Sequence, residues 1–291
     1  LMPRFNSYNL DKNLIKITLM PTESGKNVTI INPSKYPIVF FNHVVTGNSN
    51  NVKVSRDNSV SANTLLLEGT VNKPVTLYVP TNNLKRYFDI KLTNALADKK
   101  VYLKENFVVA KKTPADKQVD KVTHSISMAL DDVLKNSNNM VSETIAKLAG
   151  GKAYQDVGTD IYGIKVFNAY CQKIGVDNSK IRLTDASGVS KNNLVNVDFI
   201  SEYLYKNKSN KTLEHLATPG EGTLTHRMLP IKENLRAKTG TLSDTSSIAG
   251  FLTSKSGNKY SFAIIINDTT STIPDMKMLE DYLIREAYLR L

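Results

Sequence analysis

Arg236-Ala237-Lys238-Thr239-Gly240-Thr241-Leu242 reads as a short strand running into a turn, and two apolar runs, residues 247–253 and 259–267, follow it. Between those runs, Ser256-Gly257-Asn258-Lys259 carries the Gly-Asn turn signal of a hairpin. The sequence therefore predicts three consecutive antiparallel strands, with a last amphipathic helix over residues 275–291 introduced by Pro274. Upstream, the apolar spacing predicts helices from Ile126 to Ser137, over 140–149 (stopped by Gly150-Gly151), over 158–175 and over 197–205. A further strand is expected over 181–184. Helices laid on a sheet that ends in antiparallel strands make an α+β or three-layer domain.

The strand that opens this set also carries chemistry. On an edge strand, Lys238 to Thr241 could pair with an extended peptide through backbone hydrogen bonds. Gly240 lets that backbone come close, while the Lys238 ammonium and the Thr239 and Thr241 hydroxyls can hold a terminal carboxylate. Taken alone, a solvated lysine at a strand end is the simpler reading. Ser137-Asn138-Asn139 lies between two helical patterns. There a serine hydroxyl can relay a proton, and an asparagine amide can both donate to and accept from a peptide bond. The same residues also suit a structural task, with Ser137 or Asn139 capping the helix that follows.

The rest of the chain is less specific. Residues 13–20, 27–31, 37–41, 51–55, 64–68 and 75–79 are short runs rich in Val, Ile, Thr and Leu, punctuated by Pro and Gly, and predict a small β module. A helix over 84–97, a strand pair over 100–110 and a linker over 111–117 follow, so two regions are expected, 1–115 and 116–291. At 291 residues and 41% hydrophobic, the chain can bury one large core or two modest ones. Its single Cys171 excludes an internal disulfide and falls in an apolar helical pattern, as core filler does. Net charge +11 suits a polyanionic neighbour such as an anionic membrane surface or wall polymer, yet Lys and Arg are dispersed and form no nucleic-acid-binding arm. His43, His124, His215 and His226 lack metal-ligand spacing, and no cofactor motif occurs.

Four segments, in order, make a family resemblance. Lys135-Asn136-Ser137-Asn138-Asn139-Met140-Val141-Ser142-Glu143-Thr144, Asp185-Ala186-Ser187-Gly188-Val189-Ser190-Lys191-Asn192-Asn193, Gly220 to Arg227 and Ala237 to Phe251 are similar to motifs of the D-alanyl-D-alanine carboxypeptidase/endopeptidase family, the class C low-molecular-mass penicillin-binding proteins. The resemblance implies a β-lactamase/transpeptidase-like three-layer α/β/α domain, incomplete here, preceded by a β-rich inserted module. It implies a serine-type hydrolase acting through an acyl-enzyme on peptidoglycan stem peptides and trapped by β-lactams, outside the cytoplasm and with a signal peptide upstream. By the same resemblance, Ser137 and Lys238 move protons and Asn139 holds the substrate amide. Thr239 and Thr241 bind carboxylate beside Gly240, and the Thr241 N–H forms half of an oxyanion hole. Asp185, Ser187 and Arg227 are expected to be scaffold. Asn138 and Ala186 stand where the family has Asp and Gly. The family's Ser-x-x-Lys nucleophile has one match by pattern, Ser256 to Lys259, and that match is a hairpin turn. The nucleophile is therefore expected upstream of Leu1, in a longer protein. The competing expectation is a non-catalytic peptidoglycan-binding or scaffold protein of the same ancestry.

Overall fold

In β1 (Leu14–Met20) side chains alternate between the two faces of the strand. Ile15, Ile17 and Leu19 are wholly buried and Lys16 is exposed. This strand organises the first of two units into which the chain divides, Leu1–Val119 and Asp120–Leu291. The computed structural model describes residues 6, 8–57, 59, 61, 63–104, 122–267 and 269–291. In the first unit β2 (Thr29–Ile31) and β6 (Val75–Pro80) flank β1, both antiparallel to it. A second sheet sets β5 (Thr64–Val71) between β3 (Val39–Thr46), which is parallel to it, and β4 (Asn51–Arg56), which is antiparallel. Val44, Leu65 and Leu67 join the inward residues of β1 and Tyr87 of α1 (Leu84–Asp98) in one core.

Just before β1, Asp11, Lys12 and Asn13 stand at φ 50°, 56° and 58°, three successive non-glycine residues in the left-handed region. Asn13 is fully buried and fixes this turn: its Oδ1 accepts from the Leu10 N–H and its carbonyl from the Thr81 N–H. The strand expected over 100–110 does not begin where predicted. The Val101 N–H donates to the Leu96 carbonyl with Lys100 left-handed, so the backbone at the start of this run is used as the terminus of α1, and residues 101–104 are in no strand. The remainder of that run, and the linker at 111–117, lie outside the described residues.

The second unit holds the helices α2 (Ile126–Leu134), α3 (Asn139–Tyr154), α4 (Asp160–Ile174) and α5 (Val197–Lys206). Its sheet orders β7 (Leu235–Thr241), β8 (Thr245–Thr253) and β9 (Lys259–Asn267) antiparallel, and α6 (Ile273–Arg290) packs on it. Leu235, Ala237, Ile248 and Leu252 bury against Ile284 of α6, while α5 lies against β9. Cys171 is fully buried with Val176 and Phe199, as core residues are. Among the described residues β7 and β9 are the outer strands of this sheet.

Two local expectations fail here. Gly150-Gly151 do not stop α3, which continues to Tyr154. They are the surface on which α4 packs: a Cβ on Gly150 would stand 2.6 Å from the Gly163 nitrogen, so the pair lets two backbones touch. The helix ends instead at Gln155, left-handed, whose N–H reaches the Gly151 carbonyl. Residues 181–184 form no strand. Arg182 makes a single bridge to Leu194 through two backbone hydrogen bonds, closing a loop that side chains also bind, Asn193 at Thr184 and Asp185 at Gly188 and Ser190.

Candidate active site

The turn between α2 and α3 is built by short polar side chains. Ser137 sits at φ 57°, a strained position for a residue with a Cβ. Asn138, buried, is the N-cap of α3: its Oδ1 accepts from the Met140 and Val141 N–H groups, and its Nδ2 donates to Asp132 on α2. The cap is therefore neither Ser137 nor Asn139, the two residues expected for it. Asn139 is the first residue of the helix and half-buried. With Asn138 capping, the Ser137 hydroxyl is left for another partner.

That partner is Lys238. Its Nζ donates to Ser137 Oγ at 2.7 Å and to the Thr239 carbonyl at 2.6 Å, tying β7 to a turn 101 residues away in sequence. Burial pushes the Lys238 ammonium down to about 8 from its ordinary 10.5, since withdrawal from water disfavours the charged form. The Ala237 N–H points off the outer edge of β7, donating to the Ala217 carbonyl, whereas the Leu242 N–H turns back toward β8. Strand alternation thus turns the Thr239 and Thr241 N–H groups to the outer edge as well. Thr239 is buried, Gly240 half-buried and Thr241 exposed. A Cβ on Gly240 would meet Ser247 Oγ at 2.5 Å, so β8 fills the space that a side chain would need.

A buried lysine with a lowered pKa, a hydroxyl in contact with it and an open strand edge define this site. The D-Ala-D-Ala carboxypeptidase 3 (S13) family model matches residues 1–283. The chain belongs to this family. Among its relatives, the D-alanyl-D-alanine carboxypeptidase DacB of Haemophilus influenzae is 24% identical over 275 residues, which is 89% of this chain and 57% of that protein. The D-alanyl-D-alanine carboxypeptidase of an Actinomadura species is 29% identical over 178 residues, 55% of this chain and 33% of that one. The chain thus spans little more than half the length of the first relative. The crystal structure of penicillin-binding protein 4 (dacB) from Haemophilus influenzae, complexed with a novel β-lactam, superposes with a TM-score of 0.78 at 23% identity, covering 97% of this chain and 70% of that one. The S13 chain shares that fold, the α+β, β-lactamase/transpeptidase-like class expected from its motifs.

Around the site of this S13 chain, the loop after Arg182 is organised by two carboxylates. Asp185 accepts from the Gly188 and Ser190 N–H groups and from Asn193 Nδ2. Glu143, buried in α3, accepts from the Ala186 and Ser187 N–H groups at 3.0 and 2.8 Å and pairs with Lys147, which also contacts Asp160. Arg227 donates to Glu280 and Asp281 of α6. Scaffold contacts are therefore what Asp185 and Arg227 make. Glu143 carried no expectation from the sequence. Its acid–base spacing to Lys147, i to i+4, was the available signal, but the loop amides it serves lie more than forty positions away.

Ser256 stands in the turn joining β8 to β9, where Gly257 has φ +89° and the Ser254 N–H donates to the Asn258 carbonyl. Its hydroxyl donates to the Leu291 carbonyl at 2.7 Å. It is a turn residue, not the head of a helix. Among the described residues no cluster of His, Cys, Asp or Glu could hold a metal, and no helix is long and apolar enough to cross a membrane.

Proposed function

We propose that this chain supplies the proton-transfer and substrate-binding half of a serine-type D-Ala-D-Ala carboxypeptidase or peptidoglycan endopeptidase acting outside the cytoplasm. The observation that carries the reading is the 2.7 Å contact between Lys238 Nζ and Ser137 Oγ, with burial bringing the lysine's pKa down to about 8. A lysine of that pKa exchanges a proton near neutral pH, as acid–base catalysis requires. The nucleophile is a serine upstream of Leu1, a placement supported by the hairpin position of Ser256 and by the share of its relatives that the chain spans.

That serine attacks the penultimate D-alanine carbonyl. Its proton passes through Ser137 and Lys238 to the departing amine, free D-alanine leaves, and water then hydrolyses the ester. Asn139 holds the substrate amide. The Lys238 ammonium and the Thr239 and Thr241 hydroxyls hold the terminal carboxylate, Gly240 admits the substrate backbone, and the Thr241 N–H on the open edge of β7 steadies the oxyanion.

The test compares this chain with a form extended at its N-terminus, scoring D-alanine release and covalent labelling by a tagged penicillin. The extended form is expected to release D-alanine and carry one adduct upstream of Leu1, with the 291-residue chain inert. Activity in the short chain would overturn the placement of the nucleophile. No adduct on either form would favour the non-catalytic wall-binding alternative.

A further inference from the structure

The β-rich first unit, which carries none of the motifs of the catalytic reading, holds a cleft of about 410 Å³, a volume in the range of small-ligand sites. Leu14, Pro33 and Tyr87 give its lining an apolar part. Three lysines, Lys12, Lys16 and Lys91, line it against one carboxylate, Asp11. Asp11 is already engaged, accepting from Tyr87 Oη at 2.7 Å and pairing with Lys91 Nζ at 3.0 Å. Burial, and then the bond to Asp11, push the Tyr87 phenol up, so it stays a donor. Among the described residues neither Lys12 nor Lys16 has a carboxylate within ion-pair distance. The cleft therefore carries a surplus of positive charge beside apolar side chains.

Two further observations make this a built site. Lys16 of β1 and Tyr78 of β6 are cross-strand partners and stand side by side on the sheet face, with Tyr78 63% exposed. A flat ring lies open beside a cation. Lys12 is presented by the three-residue left-handed turn, whose strain is held by the buried Asn13 and by the Asp11 contacts to α1. Strained backbone that its surroundings over-determine marks functional positions more often than idle ones.

The geometry points to a saccharide bearing carboxylate groups as the ligand of this cleft. Lys12 and Lys16 would bind the carboxylates, and a sugar ring would lie on Tyr78. An extended peptide is disfavoured because the cleft is walled by side chains on the face of the sheet, and β1, which carries Lys16, is its central strand with no free edge to extend. A nucleic acid is disfavoured because the cations form a single short cluster with no basic stripe leading to it.

The test uses the full chain and fluorescence anisotropy of three labelled probes: trigalacturonate, neutral chitotriose and hexaglutamate. Trigalacturonate is expected to bind, and to bind at least about tenfold more weakly to Lys16→Gln, the loss of one charged contact being worth that much. It is also expected to bind more weakly to Tyr78→Ala than to the parent, because that change removes the ring under the sugar. Both side chains are exposed, so the two variants should melt as the parent does. Chitotriose or hexaglutamate binding as tightly as trigalacturonate would overturn the inference, as would equal trigalacturonate affinity in parent and variants.

Discussion

Replacing Lys238 by Met keeps the aliphatic stem and removes the ammonium, which isolates what burying that charge does to stability. Lys238 titrates at about 8 in the folded chain against 10.5 ordinarily. Below pH 8 both the folded and unfolded chains hold the proton. Between pH 8 and 10.5 the unfolded chain retains it while the folded chain has released it, so folding stability rises with pH through that window. At roughly 1.4 kcal/mol per unit, the parent should gain about 3 kcal/mol relative to Lys238→Met between pH 7 and pH 10.5. Contributions from other groups cancel in the difference, because they are common to both proteins. Denaturant unfolding of the two chains at half-unit pH steps measures this directly. Parallel profiles would mean that Lys238 titrates where an exposed lysine does, and the proton-transfer role proposed for it would fall with that result.

Asn138→Asp restores the family's usual residue yet sets a second carboxylate against Asp132, which now accepts from the Asn138 amide. Like charge raises the folded pKa of the new acid, so a loss of roughly 1–3 kcal/mol at pH 7 should shrink toward pH 4, as read by thermal melts. At Ser137, whose φ is +57°, Gly should be more stable than Ala by about 1 kcal/mol although both lack the hydroxyl, and denaturant midpoints check the order. Arg227→Met would strand Glu280, wholly buried, at a cost of about 3–5 kcal/mol, read from denaturant midpoints.

The sheet β7–β8–β9 and its hairpin turn were legible because local signals decide them: apolar runs, Gly257-Asn258, and the Lys-Thr-Gly strand. The boundaries of α1 and α5 followed from apolar spacing for the same reason, whereas α2 stops at Leu134, short of the Ser137 expected, because Ser137 turns left-handed. Gly150-Gly151 misled because a glycine pair means either a helix stop or a close helix contact, and only α4 arriving against it decides which. The cap of α3 fell to Asn138 because Asp132, a turn earlier on α2, gives its amide a second bond that Ser137 and Asn139 do not share. At the site, the family resemblance pointed to Ser137 and Lys238, where residue types alone left a solvated lysine and a helix cap as the simpler readings. What no sequence pattern contains is the burial that lowers the lysine's pKa, or the reach of Glu143 to the Ala186 and Ser187 amides. Both depend on elements that meet only after folding.

The outer margin of β9 remains. Nine residues, Lys-Tyr-Ser-Phe-Ala-Ile-Ile-Ile-Asn, present one row of backbone donors and acceptors with no strand beside it among the described residues, and charge appears only at Lys259. Such a margin is adhesive. Two copies meeting there could satisfy each other's ladders, so the behaviour of this chain in solution should depend on its concentration. A proline placed at Ile265 or a lysine at Ile266 would serve as a gatekeeper, keeping copies apart without touching the Lys238 strand on the opposite side of the sheet.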